Sequence, residues 1–175
     1  MERETLDVDV LVVGGGPAGM SAALRLAQLR SQAGRDLSIA LLEKGREAGA
    51  HMLSGAVLDP RALAELVPDY EARGAPLSAP VHDEHVYYLT ERGRIGLPVI
   101  PPPLRNHGNT IVSLNKLVRW LSEQVEAAGV DLFTGFAGQE VLFDGDRVVG
   151  VRTGDRGVGR HGEPRSTFEP GVDIR

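Results

Sequence analysis

Apolar residues near the start of the chain form two short continuous runs with a helically spaced stretch between them. Val8 to Val13 is an aliphatic run that stops at a glycine, as buried strands often do. A second run, Leu37 to Leu42, ends at Glu43. Between the runs, apolar positions recur with a helical period as far as about Ser31, at Ala22, Ala23, Leu26, Ala27 and Leu29. The pattern predicts a strand, a helix and a second strand joined in one βαβ unit.

Two more helices are predicted further along the chain. The first begins at Asp59-Pro60, because an aspartate followed by a proline is a common helix start, and it ends before Pro68. The second begins at the capping residue Ser113 and ends at Gly129. Apolar residues have helical spacing in both, at Leu63, Leu66 and Val67 and at Leu117, Val118, Leu121 and Val125.

The remaining apolar segments are predicted as strands. "HVYYLT" and "RIGLPV" flank a turn at "ERGR", and "QEVLF" and "RVVGVR" flank Asp144-Gly145-Asp146, so each pair predicts a β-hairpin. "VDLFT" is predicted to be a third parallel strand. The three prolines at 101–103 argue against regular structure there, and no clear element is expected after Thr153.

Composition narrows the class of protein. The 175 residues suffice for one domain with a sizeable core, and 42% apolar with 25% charged residues is typical of a soluble globular chain. The net charge of −5 argues against nucleic-acid binding. The sequence shows no secretory signal and no uncharged stretch long enough to span a membrane. Since there is no cysteine, this chain has no thiolate to ligate an iron–sulfur cluster.

A glycine-rich turn follows the first predicted strand. Gly14, Gly16 and Gly19 match G-x-G-x-x-G, which permits a tight turn, close approach of a pyrophosphate and close helix packing. Pro17 suits the first helical position, where free amides and the helix dipole attract an anion. Glu43 is placed to accept hydrogen bonds from the adenosine ribose hydroxyls. NAD and FAD both use such a unit, although "GGGPAG" resembles the flavoprotein version.

Stretches outside the glycine turn resemble electron transfer flavoprotein–ubiquinone oxidoreductase. They are "LLEKGREAGAHMLSGAVLDPRALAELVPDY", "RGAPLSAPV", "NHGNTIVSLNKLVRWLSEQVEAAGV" and "GDRGVGRHGEPRSTFEPG". The resemblance covers essentially the whole chain and about the first third of what such an enzyme is expected to contain. A geranylgeranyl-reductase-type flavoprotein is an alternative against which these stretches speak. A non-catalytic, truncated nucleotide-binding fragment is another.

The resemblance implies an α/β fold with a Rossmann-like βαβ unit of the glutathione-reductase type, incomplete and with antiparallel hairpins. Residues 1–175 are then the N-terminal part of an FAD-binding domain. The family uses FAD and a [4Fe–4S] cluster, electron transfer flavoprotein as donor and ubiquinone as acceptor. It lies on the mitochondrial inner membrane or the cytoplasmic face of a bacterial inner membrane. Because the cluster ligands and later strands are missing here, we expect no electron transfer by this chain alone.

The resemblance also implies cofactor-binding residues, with none acting as acid, base or nucleophile. The residues for the FAD pyrophosphate are Gly14, Gly16, Pro17, Ala18 and Gly19. Glu43 is implied to bind the adenosine ribose with Lys44 beside it, and the backbone of Ala137 to meet the adenine. The residues implied to approach the flavin are Ser54, Gly55, Asn106, His107, Gly108 and Asn109.

Three further features have competing interpretations. His82 and His85 suggest a metal site, but at this spacing they are better interpreted as two surface histidines that bind no metal. His107 is as well explained by a structural hydrogen bond as by a flavin contact. Within residues 49–70, a helix carrying Leu63, Leu66 and Val67 follows the apolar Met52, Leu53, Val57 and Leu58. Interior packing and a shallow membrane-resting surface both explain this segment, and the resemblance favours the membrane.

Overall fold

The computed structural model describes residues 3–160 and 163–175, which divide into two compact units. Of the described residues, those up to 52 and from 118 onward form the first unit, and residues 53–117 form the second. The helices are α1 (Pro17–Gln32), α2 (Arg61–Leu66) and α3 (Leu114–Ala127). The strands are β1 (Thr5–Leu6), β2 (Val10–Val13), β3 (Ile39–Glu43), β4 (Ala56–Leu58), β5 (Leu77–Pro80), β6 (Tyr87–Thr90), β7 (Gly93–Gly96), β8 (Thr110–Val112), β9 (Asp131–Thr134), β10 (Gly138–Asp144), β11 (Arg147–Thr153), β12 (Arg156–Val158), β13 (Pro164–Glu169) and β14 (Asp173–Ile174).

A parallel sheet of order β2-β3-β9 forms the centre of the first unit. Val10 pairs with Ile39 in β3, and Ala40 pairs with Asp131 in β9. Every residue of the central strand β3 is buried, both the four aliphatic residues and Glu43 at its end. Helix α1 connects β2 to β3 and contributes the buried residues Met20, Ala23, Leu24 and Ala27. The predicted βαβ unit and the third parallel strand are therefore confirmed.

A second sheet of the first unit has the order β1-β14-β11-β10. The β10–β11 hairpin was predicted, but the strands after Thr153 were not. The expectation of no clear element there is wrong, because β12 pairs with β13 and β14 lies between β1 and β11. Strand β14 has only two residues, and its partners lie far away along the chain. A local sequence pattern carries no signal for such a pairing.

The second unit contains the antiparallel sheet β4-β8-β5 and the predicted hairpin β6–β7. Helix α2 starts one residue later than predicted, and Asp59 Oδ1 accepts a hydrogen bond from the Arg61 amide at 3.1 Å. The expectation of no regular structure across the prolines is wrong in part, because Pro102–Leu104 is a 3₁₀ turn closed by Leu104 N and Pro101 O at 2.9 Å. The restricted φ of proline is compatible with this turn, and a missing amide costs nothing at its start.

Two carboxylates tie the end of the first unit to its sheet. Asp173 accepts hydrogen bonds from Nε and Nη2 of Arg152 at 2.7 and 2.9 Å, and this pairing holds the pKa of Asp173 below its usual value. Asp155 accepts hydrogen bonds from the Gly171 amide at 2.8 Å and from Arg3 at 2.6 Å. These contacts also lower the pKa of Asp155, and the bond from Gly171 has the largest effect. Both groups therefore stabilise the fold in their ionised form.

We expect the free energy of unfolding to fall as the pH drops below about 4, since the unfolded carboxylates take up protons first, at a pKa near 3.8. The stabilisation is complete above that range and is lost as the pH passes through the lower folded-state pKa values. Asp173→Asn should lower stability at neutral pH and flatten this dependence. Urea unfolding between pH 3 and 7 measures both effects. Asp146→Asn, in the exposed β10–β11 turn, is the control and should keep the wild-type slope.

Candidate functional site

The glycine turn lies at the carboxyl end of β2, where α1 begins. The Gly14 amide donates to Leu42 O of β3 at 2.8 Å, and Gly14 has a φ of +108°, which favours glycine. A Cβ on Gly19 would overlap the carbonyl oxygen of Gly14. The space above Gly14 itself is open, since an added Cβ would meet nothing within 4 Å. The turn thus combines close packing of α1 with a bare and accessible backbone.

The N-terminus of α1 is suited to an anion. Pro17 is the first helical residue, and Gly16 precedes it without a capping side chain. The first helical backbone bond runs from Met20 N to Gly16 O at 2.9 Å, so the amides of Ala18 and Gly19 precede the hydrogen-bonded part of the helix. The first turn, all of it described, carries no acidic side chain. These residues therefore fit a diphosphate group.

Glu43 is held rigidly at the end of β3. Its side chain is nearly buried, Oε2 accepts from the Gly15 amide at 2.9 Å, and Oε1 accepts from the Gly45 amide at 2.6 Å. His51 Nδ1 lies 3.7 Å from Oε1. Each carboxylate oxygen accepts two hydrogen bonds in favourable geometry, so both retain capacity for a ribose hydroxyl.

Gly15 is a residue whose role the sequence interpretation missed. A Cβ at this position would come within 2.9 Å of Glu43 Cβ and Oε2. Gly15 therefore gives the carboxylate both room and a hydrogen-bond donor. The signal in the sequence was the third adjacent glycine, which the G-x-G-x-x-G pattern does not require.

The loop after β9 is joined to the end of β3 by backbone hydrogen bonds. Phe136 N donates to Glu43 O at 3.0 Å, and Gly135 N donates to Gly45 O at 2.7 Å. Ala137 follows directly and is exposed, as is Lys44. The tertiary structure therefore brings the predicted adenine residue Ala137 to the neighbourhood of the predicted ribose residue Glu43.

The residues predicted to approach the flavin lie in the second unit. Ser54, Gly55, His107 and Gly108 are all exposed. Gly55 precedes β4 and Gly108 precedes β8, and these strands are antiparallel, with Ala56 opposite Val112. The two predicted pairs therefore lie toward opposite ends of this short ladder. Their role in binding flavin stays a prediction.

A metal site at the histidines is the alternative chemistry that the sequence suggests. Within the described ranges 3–160 and 163–175, no three histidine, aspartate or glutamate side chains converge as a metal site requires. His82 is exposed, and the His85 ring lies 6.0 Å from that of Tyr87.

The family model for an NAD(P)-binding Rossmann-like domain matches residues 12–85. The chain is 50% identical over 99% of its length to the mitochondrial electron transfer flavoprotein-ubiquinone oxidoreductase of Bos taurus, and 48% identical over its whole length to the corresponding protein of Pseudomonas aeruginosa. The chain matches the N-terminal part of these oxidoreductases. It spans 28% and 33% of their respective lengths. The resemblance stated from the sequence is confirmed.

Solved structures agree on the fold. A geranylgeranyl bacteriochlorophyll reductase-like protein from Thermoplasma acidophilum matches with a TM-score of 0.65 and 20% identity, over 98% of this chain and 38% of that one. The flavin-dependent monooxygenase PieE, solved with FAD and substrate, matches with a TM-score of 0.64 and 24% identity, over 97% and 29%. The predicted Rossmann-like α/β fold, shared with FAD-dependent oxidoreductases and combined with antiparallel strands, is therefore confirmed.

Proposed function

We propose that this chain is the FAD-binding N-terminal portion of an oxidoreductase that passes electrons from reduced electron transfer flavoprotein to ubiquinone. The observation that carries the proposal is the 48–50% identity to such oxidoreductases over 99% or more of the chain. The open glycine turn and the rigidly held Glu43 support it, because they fit a diphosphate and a ribose diol.

The chain's own residues bind and orient the cofactor. The α1 N-terminus and the glycine turn hold the diphosphate, and Glu43 accepts from the adenosine ribose. FAD supplies the redox chemistry when bound, so no side chain here has to act as acid, base or nucleophile. Electron transfer flavoprotein and ubiquinone are the proposed partners, and a [4Fe–4S] cluster would take its ligands from outside this cysteine-free chain.

The direct test is to purify the chain without added cofactor, record a flavin spectrum and identify any nucleotide released on denaturation. Released FAD supports the proposal. Released NAD, or saturable NAD binding with no FAD binding, would contradict it and favour a nucleotide-binding fragment of another class.

Glu43→Gln should weaken FAD binding by about 1–3 kcal/mol, because charge-assisted bonds to the ribose are lost. The new amide would also turn its NH₂ group toward Gly15 or Gly45, whose amides already donate to this position. Calorimetric titration with FAD and NAD measures the effect. Glu47→Gln removes an exposed carboxylate paired with Arg119 at 2.6 Å and should leave FAD affinity unchanged. Tighter binding of NAD than of FAD by the wild type would count against the assignment.

We also propose that the chain rests on a membrane surface through part of residues 49–70. None of the described helices is both long and apolar enough to cross a bilayer. Leu63 and Val67 are buried, so interior packing explains the helical half of the segment. Leu53 is 85% exposed and Val57 is 47% exposed, so these two side chains are free to insert. The inner membrane, at its cytoplasmic face in a bacterium, is the proposed location.

Leu53→Asp and Val57→Asp should each weaken binding to phosphatidylcholine–phosphatidylglycerol vesicles while leaving the far-ultraviolet spectrum unchanged. A carboxylate cannot enter the interface without losing hydration. Sedimentation with vesicles gives the measurement. The hairpin β6–β7 also exposes apolar side chains, Tyr88 at 67% and Leu89 at 75%, which makes Leu89→Asp the informative comparison. If only Leu89→Asp reduced binding, the segment 49–70 would be the wrong contact.

A further inference from the structure

An arginine side chain lies over an aromatic ring in the loop that is hydrogen-bonded to the end of β3. The guanidinium carbon of Arg156 lies 4.2 Å from the centre of the Phe136 ring. Phe133 meets Phe136 edge-on, with ring centres 6.2 Å apart and an angle of 85° between the planes. The Phe136 ring thus has one neighbouring ring nearly perpendicular to it and a guanidinium over one face. Such a cation–ring pair is a stacking surface of the kind that binds nucleobases.

Backbone hydrogen bonds determine where this pair lies. The Phe136 amide donates to the carbonyl oxygen of Glu43 at 3.0 Å, so the ring belongs to the residue hydrogen-bonded to the proposed ribose acceptor. On the other side, Gly154 N donates to Ala137 O at 2.9 Å and ties the segment leading to Arg156 to the same loop. Main-chain contacts therefore place Phe136 next to Glu43 and bring the segment that carries Arg156 to the same loop.

The Arg156 side chain is partly exposed although it has neighbours on several sides. Phe136 covers one face, Glu169 Oε2 lies 3.6 Å from Nη1, and a Cβ on Gly135 would come 2.5 Å from Nη2. Even so, 42% of the Arg156 side chain is exposed. A guanidinium plane stacks on aromatic groups through both faces, so the second face can accept another flat ring.

We propose that Phe136 and Arg156 form the adenine platform of this site, with the base stacked on the outer face of the guanidinium. This inference rests on the proposed FAD-binding function. Adenine is bonded to the ribose that Glu43 is proposed to hold, so it must lie within one glycosidic bond of that sugar. The isoalloxazine is separated from that ribose by the diphosphate and the ribityl chain. Arg156 and Phe136 are therefore positioning residues for the adenine, and the carbonyl of Ala137, engaged by Gly154, leaves its amide to meet the base edge.

The test compares three probes on the full 175-residue chain: FAD, AMP, which retains the adenine and its ribose, and FMN, which lacks both. Arg156→Lys keeps the charge and removes the plane, Arg156→Gln removes both, and Phe136→Leu removes the ring beneath. Each variant should lower the affinity for FAD and AMP about tenfold, in line with the loss of one base-stacking contact, and leave FMN binding unchanged. Arg94→Lys is the matched control, because Arg94 lies 4.5 Å over the Tyr87 ring in the other unit.

Several results would overturn the proposal that Phe136 and Arg156 form an adenine platform. If the wild type binds FAD but the Arg156 variants keep wild-type affinity for FAD and AMP, the inference is wrong and the proposed function stands. If Arg156→Lys kept full AMP affinity while Arg156→Gln lost it, Arg156 would act through its positive charge and not by stacking on the base. Equal losses with FMN would show a general effect on the fold. A wild-type chain that binds neither FAD nor AMP would contradict the proposed function itself.

Discussion

Purified 175-residue chain, supplied with FAD and reduced electron transfer flavoprotein, is expected to show no sustained ubiquinone reduction. The proposed enzyme carries a [4Fe–4S] cluster beside its flavin, and a chain with no cysteine has no thiolates to hold that cluster. The chain also spans only 28% of the bovine relative and 33% of the Pseudomonas aeruginosa relative. We therefore expect this chain to show none of the turnover of a complete enzyme, so that ubiquinone is reduced only at the background rate.

The assay follows ubiquinone reduction under anaerobic conditions. The Pseudomonas aeruginosa electron transfer flavoprotein-ubiquinone oxidoreductase is the positive control, since 48% identity makes it a fair standard. The same chain carrying Gly19→Ala is the negative control. Sustained turnover by the unmodified chain above that control would show that these residues already contain a complete electron path, and the fragment interpretation would be rejected.

Gly19→Ala is expected to abolish detectable FAD binding, the largest effect of any single substitution considered. Its Cβ would overlap the carbonyl oxygen of Gly14, which is backbone and cannot move without displacing the turn. Either α1 moves away from β2 or the Gly14 peptide rotates, and both changes displace the amides that hold the diphosphate. Fluorescence titration with FAD measures the loss.

The matched control is Gly93→Ala, where the added Cβ would meet only Thr90 Oγ1 at 4.0 Å. This variant should bind FAD like the wild type. Circular dichroism and a urea titration separate loss of the site from loss of the fold, since the overlap at Gly19 will also cost stability. If Gly19→Ala kept FAD affinity within a factor of about two, the assignment of the turn to the diphosphate would be wrong.

The elements predicted correctly are those whose evidence is local. The run ending at Glu43 is apolar because β3 is buried on both faces, and continuous burial is visible in the residues themselves. The glycine turn is recognisable because its three glycines recur at fixed short spacing; Gly14 needs its positive φ, and Gly19 has no room for a Cβ. The short strands β1 and β14 carry no such pattern. They are stable because Thr5 pairs with Asp173, a partner that only the folded chain brings near.

The candidate site likewise contains residues that the sequence predicts and residues that only the structure identifies. Gly14, Gly16, Gly19 and Glu43 were found from spacing, since the strand, turn and helix that position them are consecutive in the chain. Gly15 as a donor to Glu43, and the contact between Phe136 and Arg156, were not found. Their partners come from different elements, and a hydrophobic pattern does not report which loops meet.

The sequence by itself determined the βαβ unit, the glycine turn, the acid that ends the second strand and the absence of thiolates, because each is a property of residue types at short spacing. Only the tertiary structure decided that the loop after β9 binds the end of β3, and that Leu63 and Val67 pack inside while Leu53 faces outward. The physical reason is that backbone hydrogen bonds across distant segments, and the choice of which apolar face is buried, depend on the elements that happen to lie opposite.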